Sequence, residues 1–318
     1  MKKRVLVTGA TGFIGRNALT PLVAYGYEVH AVYNDIPLPN MPEVHWHQAN
    51  LLEASDTTKV MSEVEPTHLL HFAWYAAPGA YWTSPLNRSW QEATKTLLAA
   101  FKESGGARAV CAGTCAEYDW TLAHNALSED SPLKPSTLYG QCKNETHLWA
   151  EEYSKKNGLS FAWGRIFFLF GENEAPQRLV PSVVNALLKK EPALCSSGEQ
   201  VRDFLLVDDV AAAFCALLQS PVEGAVNIGS GEAIAVKDII LSIADMLDGR
   251  ELVHLGARPT AENEPAQIVA DIDRLKNEVG WQPEYSLQEG LAKTVTWWKE
   301  NGSTSSPQDR AQDRYSSQ

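Results

Sequence analysis

The sequence predicts an α/β fold in which a doubly wound parallel sheet is followed by a smaller, mostly helical lobe. Three observations support this prediction. Short apolar strands alternate with segments of helical periodicity in the first part of the chain. A glycine-rich turn joins the first strand to the first helix at residues 8–15. Helical periodicity then dominates from Gln177 onward.

The glycine-rich turn has the spacing G-x-x-G-x-x-G, at Gly9, Gly12 and Gly15, and follows the apolar run 5–7. Gly9 allows a tight turn, Gly12 lets a pyrophosphate approach the backbone, and Gly15 lets the helix pack closely on the strand. The exposed amides at the start of the helix favour a phosphate. The turn therefore predicts a dinucleotide-binding Rossmann domain, and a strand–helix turn without a ligand is the alternative.

The second strand, from Glu28 to Tyr33, ends where a site that prefers NAD usually places an acidic residue for the adenine ribose. Tyr33 takes that position, and Asn34 and Asp35 follow it. Asp35 offers an acid one step further on, whereas Arg16 offers a positive charge for the 2′-phosphate of NADP. We therefore expect NADP, with NAD as the alternative. If NAD binds, Arg16 is an ordinary solvated helix residue.

A long loop at residues 73–85 follows the apolar strand 67–72, after a strand at 44–47 and a helix at 54–64. Loops that leave the carboxyl edge of a doubly wound sheet form its ligand sites. Aromatic side chains in this loop either wall a substrate pocket or pack beneath the loop. They are Trp74, Tyr75, Tyr81 and Trp82.

Three candidate catalytic residues follow a helix at 87–103 and a strand at 108–112. Thr114 ends the strand, and Tyr139 and Lys143 lie four residues apart on one face of the next helix. A tyrosine with a pKa of about 10 is a poor base alone. A lysine ammonium one turn away and an oxidised nicotinamide lower that pKa by about 2 to 3 units. We predict that Tyr139 exchanges a proton with the substrate and that Thr114 holds the substrate oxygen.

The composition excludes several classes of function. Acidic residues outnumber basic ones by 39 to 27, and the net charge of −12 opposes general binding to nucleic acid or to an anionic membrane. No apolar run approaches the roughly 20 residues of a membrane helix. The first strand begins directly after residues 1–3, so we expect a cytoplasmic protein. The five cysteines lack zinc-type spacing, so we expect reduced thiols and no metal site.

The order of these parts resembles the extended branch of the short-chain dehydrogenase/reductase superfamily, which contains sugar-nucleotide epimerases, dehydratases and reductases. The resemblance covers residues 4–300. It includes the later segments Gly164-Arg165, Phe170-Gly171, Val201-Arg202-Asp203-Phe204, Val207-Asp208-Asp209-Val210, Asn227-Ile228-Gly229-Ser230-Gly231 and Gly280-Trp281-Gln282-Pro283. It implies a nicotinamide cofactor, a small-molecule substrate of the nucleotide-sugar class and a homodimer. The dimer forms through the helices at 87–103 and 139–153.

The resemblance also implies two lobes. Residues 1–165 form the NAD(P)-binding Rossmann domain, to which residues 203–230 return with a strand at 225–228. Residues 166–202 and 231–300 form the substrate-binding lobe. Residues 301–318 lack periodicity and have few apolar side chains, so we expect a disordered tail.

The predicted site residues fall into three groups. The catalytic residues are Thr114, Tyr139 and Lys143. The cofactor-binding residues are Gly9, Thr11, Gly12, Phe13, Ile14, Gly15, Arg16, Asn34, Asn50, Leu51, Phe72, Ala73, Trp74, Tyr139 and Lys143. The substrate-binding residues are Trp74, Thr114, Cys115, Arg202 and Arg258.

The two arginines of the substrate group match family arginines that contact the nucleotide diphosphate. The forked guanidinium of an arginine suits a phosphate. A structural ion pair is the alternative role for each, for instance Arg202 with Asp203 or Asp208.

Four departures from the family bear on the substrate. Cys115 and Ala116 stand where the dehydratases carry Asp-Glu, so dehydration by that mechanism is not expected. At the next two positions, Glu117-Tyr118 resembles the sequence found in reductases that act on 4-keto-6-deoxy nucleotide sugars. Phe168 and Trp90 each replace an asparagine. They add apolar surface to that of Trp74, Trp82 and Trp163.

These observations favour an NAD(P)-dependent reductase of a 4-keto nucleotide sugar. A nucleotide-sugar 4-epimerase with recycled NAD is the first alternative, because it uses the same residues. A ketoreductase for a small apolar metabolite is the second, and a cofactor-binding sensor or scaffold without catalysis is the third. Cys115 as a nucleophile or acid lacks a histidine partner set by the sequence, so we expect it to be structural.

Overall fold

The computed structural model describes residues 3–122, 125–260 and 264–302. Its strands, in chain order, are β1 (Arg4–Thr8), β2 (Glu28–Tyr33), β3 (Val44–Gln48), β4 (His68–His71), β5 (Arg108–Thr114), β6 (Ser160–Ile166), β7 (Phe168–Phe170), β8 (Ala193–Leu194), β9 (Val201–Arg202), β10 (Phe204–Leu206), β11 (Gly224–Ile228), β12 (Ile234–Ala235), β13 (Val253–His254) and β14 (Gln267–Ile268). Its α-helices are α1 (Gly15–Ala24), α2 (Ala54–Val64), α3 (Leu86–Glu103), α4 (Leu138–Asn157), α5 (Leu179–Leu188), α6 (Val207–Gln219), α7 (Val236–Met246), α8 (Asp273–Asn277) and α9 (Leu287–Asn301).

A seven-stranded parallel sheet forms the centre of the described structure, in the order β11-β6-β5-β4-β1-β2-β3. The chain runs outward from β1 to β3 and then returns to β4 on the other side of β1. Ligands of open α/β sheets bind at the carboxyl ends of the strands beside such a reversal. The predicted Rossmann-like fold is therefore confirmed, and its switch point lies between Thr8 and His71, which are paired in register.

Helices cover both faces of the sheet. Helices α1 and α6 pack together on one face, and α2, α3 and α4 pack in sequence on the other. Successive β1 residues point to opposite faces, so Val5 and Val7 join one apolar core and Leu6 joins the other. All seven residues of β5 are buried. This central strand carries Thr114 at its carboxyl end.

A third apolar core lies under α5, α7 and α9, where β7 and β10 form their own parallel pair. Strand β11 returns to the main sheet and pairs with β6. The lobe boundaries drawn from the sequence stay a prediction. From residue 303 onward the expected tail lies outside the described residues. Within the described ranges, no helix has both the length and the apolar character needed to cross a bilayer.

Candidate active site

The glycine turn is shaped by close backbone packing. Gly9 has a φ of +66°, and a Cβ there would lie 2.7 Å from the Ala73 nitrogen. A Cβ on Gly15 would lie 2.2 Å from the Gly9 oxygen. Around a Cβ on Gly12, the described atoms within 4 Å all belong to Gly9. The outer side of Gly12 is therefore open, and this cradle beside the start of α1 fits a dinucleotide pyrophosphate.

Arg16 lies against the glycine turn. Its Nη2 donates to the Thr11 oxygen at 2.9 Å, and its Nε is buried without a partner among the described residues. Burial lowers the pKa of the guanidinium. Arg16 is therefore half-buried against the turn, and its role as a cofactor-binding residue stays a prediction.

The other predicted cofactor residues lie along the carboxyl edge of the sheet. Ile14 precedes α1, and the Phe13 oxygen accepts a hydrogen bond from Asn17 at 2.9 Å. Asn34 is exposed just after β2. The Asn50 nitrogen donates to Asp56, and Leu51 is buried in the core. Phe72 packs edge-on to Phe214, and the Ala73 nitrogen donates to the Thr8 hydroxyl.

The three predicted catalytic residues come together at the end of β5. Thr137 caps α4 by accepting a hydrogen bond from Gly140, which fixes the first turn that carries Tyr139. Thr114 hydrogen-bonds with the Tyr139 phenol. One turn further on, the Lys143 Nζ donates to the Ala112 oxygen at 2.8 Å.

Burial shifts the pKa values of Tyr139 and Lys143. Desolvation raises the pKa of Tyr139 above its usual value. The hydrogen bond with Thr114 acts in the opposite direction and lowers this pKa. Desolvation also lowers the pKa of Lys143 to about 7, although the negative charge of Glu117 acts to raise it. Burial outweighs the opposing effect of Thr114 on the Tyr139 pKa, and the lowering expected from Lys143 together with an oxidised nicotinamide stays a prediction. Tyr139 is therefore a protonated phenol and can donate a proton.

Glu117 is a buried residue of the candidate site that the site residues predicted from the sequence did not include. Its side chain is fully buried. Oε1 accepts hydrogen bonds from the Thr114 nitrogen and the Trp163 indole, both at 2.9 Å, and Oε2 accepts one from Arg165 at 2.9 Å. Glu117 and Thr114 form a capping box, whose T-x-x-E spacing was available in the sequence. Glu117 thereby fixes the backbone that carries Thr114.

The aromatic loop after β4 folds over the catalytic group. The rings of Tyr81 and Trp82 lie edge-on to Tyr139, with centroids 4.9 Å and 5.8 Å away. The Lys143 Nζ lies 3.9 Å from the centre of the Trp74 ring. Buried Asn87, also missed, holds the loop by accepting from the Trp74 indole and donating to the Tyr81 oxygen.

One of the tryptophans expected to add apolar surface to a substrate pocket, Trp163, belongs instead to the core. Trp163 is fully buried, and its indole is engaged by Glu117. Trp90 is partly buried against the apolar core between the sheet and α3. Trp163 therefore adds no apolar surface to a pocket, whereas the expectation for the partly buried Trp90 stays a prediction.

Arg202 and Arg258 occupy different environments. Arg202 is 3% exposed, forms an ion pair with Glu264 and lies 5.4 Å over the half-buried Phe168 ring. Arg258 is exposed, and its backbone nitrogen donates to the Cys195 oxygen at 2.9 Å.

The ion-pair partners suggested for Arg202 from the sequence are wrong. Asp203 accepts hydrogen bonds from the Ser230, Gly231 and Ala270 nitrogens instead. Asp208 pairs with Lys293. The sequence pattern missed Glu264 because it lies far away along the chain.

Cys115 follows Thr114 and is buried. Burial raises the pKa of its thiol to about 12. The group is therefore a neutral thiol near neutral pH, which argues against a nucleophile. All five cysteines are buried and unpaired.

Comparison with known proteins gives consistent matches. A family model described as the NAD dependent epimerase/dehydratase family matches residues 5–229. UDP-glucuronic acid decarboxylase 1 from Danio rerio is 27% identical over 93% of this chain and 73% of its own length. The dTDP-4-dehydro-6-deoxyglucose reductase of Escherichia coli is 27% identical over 92% of this chain and 97% of its own. The structure of the UDP-glucose 4-epimerase of Thermus thermophilus in complex with NAD matches with a TM-score of 0.84 and 25% identity, over 95% of this chain and 100% of that chain.

Proposed function

Because the chain belongs to the NAD-dependent epimerase/dehydratase family and is an enzyme of the extended short-chain dehydrogenase/reductase type, we propose that it reduces a 4-keto nucleotide sugar. The observation that carries this proposal is the placement of the Tyr139 phenol beside Thr114, one helical turn from Lys143. A reductase needs a proton donor at the carbonyl oxygen, and an acid that is protonated at working pH supplies one.

Tyr139, Thr114 and Lys143 each have a separate role in the proposed reaction. A bound NAD(P)H supplies the hydride. Tyr139 donates its phenol proton to the substrate oxygen that becomes a hydroxyl, and the Thr114 hydroxyl holds that oxygen. The phenolate left on Tyr139 favours the charged form of Lys143, which in turn stabilises the phenolate. Lys143 would also hold the ribose of the bound cofactor.

A nucleotide diphosphate is supported by the buried guanidinium of Arg202, which pairs with Glu264 in this structure. A guanidinium binds phosphate oxygens with two parallel hydrogen bonds, and burial strengthens that attraction. The exposed side chain of Arg258 supplies a second guanidinium for the diphosphate. The relatives named above act, by their names, on UDP- and dTDP-linked sugars.

The cofactor we propose is NADP. Arg16 holds a positive charge beside the glycine turn, and Tyr33 stands where an NAD site places an acid. Mass spectrometry of the nicotinamide cofactor released on denaturation tests this. NADP, or a site that binds added NADPH, supports the reductase, and stoichiometric NAD contradicts it.

A 4-epimerase with retained NAD is the second candidate. The likeness to the NAD-bound Thermus thermophilus epimerase over 95% of this chain favours it. Steady consumption of NADPH with a 4-keto nucleotide sugar identifies the reductase. Interconversion of nucleotide hexoses without net cofactor change identifies the epimerase.

Tyr139→Phe tests the catalytic assignment common to both activities. We expect kcat to fall by about 1000-fold, because the phenol proton is lost while the ring stays in place. Cofactor affinity, measured by fluorescence titration, stays unchanged. Tyr153→Phe on the same helix is the matched control and keeps wild-type turnover. Full turnover by Tyr139→Phe would reject the assignment.

Thermal melting with nucleoside diphosphates tests the substrate class. We expect at least one of UDP, GDP, CDP and TDP to raise the melting temperature, since binding to the native state stabilises it. If none of the four does so, the ketoreductase for a small apolar metabolite is favoured instead. We place the enzyme in the cytoplasm, in line with its unpaired cysteines.

A further inference from the structure

One buried carboxyl near the proposed catalytic group has no part in the reaction described above. Glu174 lies in the loop between β7 and α5 and is 6% exposed. Its Oε2 is buried and has no hydrogen-bond partner among the described residues. A buried carboxylate without full pairing is unfavourable, so such a group tends to stay protonated. A buried carboxyl oxygen without a partner destabilises the folded state, so its presence needs an explanation other than packing.

Glu174 is linked to Tyr139 by a charge interaction with Arg178 and then by ring contacts through Tyr81. The charged side chain that acts on the Glu174 carboxyl is Arg178, which precedes α5. The Arg178 guanidinium lies 5.3 Å from the centre of the Tyr81 ring and also hydrogen-bonds the Tyr81 phenol. Tyr81 in turn packs edge-on against Tyr139 at 4.9 Å. These contacts join the loop before α5 to the aromatic loop after β4.

We propose that Glu174 is a positioning residue, which controls through Arg178 and Tyr81 how firmly the aromatic loop holds Tyr139. When Glu174 is protonated, Arg178 stays on the Tyr81 ring. When Glu174 is ionised, its negative charge draws the Arg178 guanidinium away from Tyr81, and the support of Tyr139 loosens. The proposal uses Tyr139 as the catalytic acid, and to that extent it rests on the proposed function.

Burial raises the pKa of Glu174 to about 8, while Arg178 and a hydrogen bond from the Gly171 backbone act in the opposite direction. A carboxyl whose folded-state pKa is raised favours the folded state only while protonated. Its contribution to stability is therefore lost as pH rises from about 4.5 to about 8. Glu174→Gln mimics the protonated form at every pH. We expect this variant to fold and to be at least as stable as the wild type at neutral pH.

The decisive experiment compares pH profiles of Glu174→Gln and the wild type. In the wild type we expect kcat to fall about three- to tenfold between about pH 7 and about pH 9, with KM unchanged, because the proton donor is displaced. In Glu174→Gln we expect a smaller fall of kcat across this range, because only the titration of Lys143, whose pKa is lowered to about 7, then contributes. Glu172→Gln is the matched control from the same loop, since Glu172 faces Lys293, and it retains the wild-type fall.

A second readout does not depend on turnover. Tyr81 and Trp82 pack with ring centroids 4.4 Å apart, so near-ultraviolet circular dichroism reports their arrangement. We expect a transition near pH 8 in the wild type and in Glu172→Gln, and none in Glu174→Gln. A transition that survives in Glu174→Gln, or is missing from the wild type, overturns the inference. If Tyr139→Phe stays active while this transition behaves as expected, the proposed function fails and the coupling stands.

Discussion

Glu117 brings a negative charge into a fully buried position, where an unpaired carboxylate is strongly unfavourable. Its two oxygens are satisfied by the Thr114 backbone, the Trp163 indole and the Arg165 guanidinium. Arg165 reaches further, to the Tyr118 hydroxyl at 3.1 Å. The end of β5, where the proposed catalytic residue Thr114 lies, is thus fixed by hydrogen bonds to charged groups.

Glu117→Gln tests this view at the scale of the residue. We expect a loss of about 3 to 5 kcal/mol in the free energy of unfolding, because Arg165 keeps a buried charge without its partner. Urea denaturation measures the change. Glu278→Gln, which breaks the exposed pair with Arg274, is the control and costs less than about 1 kcal/mol. Equal losses in the two variants would mean that Glu117 stabilises no more than a surface pair.

Individual residues were predictable from the sequence where their partners lie nearby along the chain. Tyr139 and Lys143 lie one helical turn apart, so their spacing alone predicts a shared face. Arg202 illustrates the opposite case, because its partner Glu264 is brought close only by the folded lobe. The effect of burial on the Tyr139 pKa could not be predicted either, since desolvation depends on the loop that packs over the phenol.

At the scale of the element, the packing of β5 beside β6 depends on Gly113, which has no side chain. Gly113 pairs in register with Arg165, and a Cβ there would lie 2.1 Å from the Trp163 Nε1. Any larger residue would push the indole away from Glu117. The glycine before Thr114 therefore belongs to the same arrangement as the buried carboxylate.

Gly113→Ala is the prediction that belongs to this pair of strands. We expect it to destabilise the protein by about 1 to 3 kcal/mol, the usual cost of overpacking a core. Thermal melting measures the change. Adding Trp163→Phe removes the clashing indole nitrogen, so the double variant recovers part of the loss. An unchanged melting temperature for Gly113→Ala would show that Trp163 moves aside freely.

The sequence predicted long elements better than short ones. The periodicity over 54–64 predicted a helix, and α2 spans Ala54–Val64. Long helices and buried strands repeat their pattern over enough residues to be recognised. The pairs β7–β10 and β8–β13 have only two or three residues per strand, and their pairing is set by tertiary packing.

At the scale of the whole molecule, α3 and α4 present a surface that suits a second copy. They pack side by side and are linked by the Arg88–Glu145 ion pair. Leu148 on α4 is 52% exposed, and Trp149 stacks on Tyr153 nearby. An exposed leucine beside two aromatic rings fits the homodimer implied by the family resemblance.

Leu148→Glu tests that dimer. We expect the wild type to sediment as a dimer and Leu148→Glu as a monomer, because a charge in the centre of an apolar interface is left without a partner. Leu194→Glu, at a 47% exposed leucine in β8, is the control and stays dimeric. Sedimentation of the wild type as a monomer would remove the dimer proposal.

The position of β11 at the edge of the main sheet has a consequence for how the chain is made. During synthesis β6 emerges from the ribosome with one edge unpaired, and residues 167–223 follow before β11 can cover it. At roughly 5 to 20 residues per second this edge stays open for several seconds. An unpaired strand edge is a template for wrong pairing with other chains. Nascent chains that stop between these two strands are therefore the species most prone to aggregate.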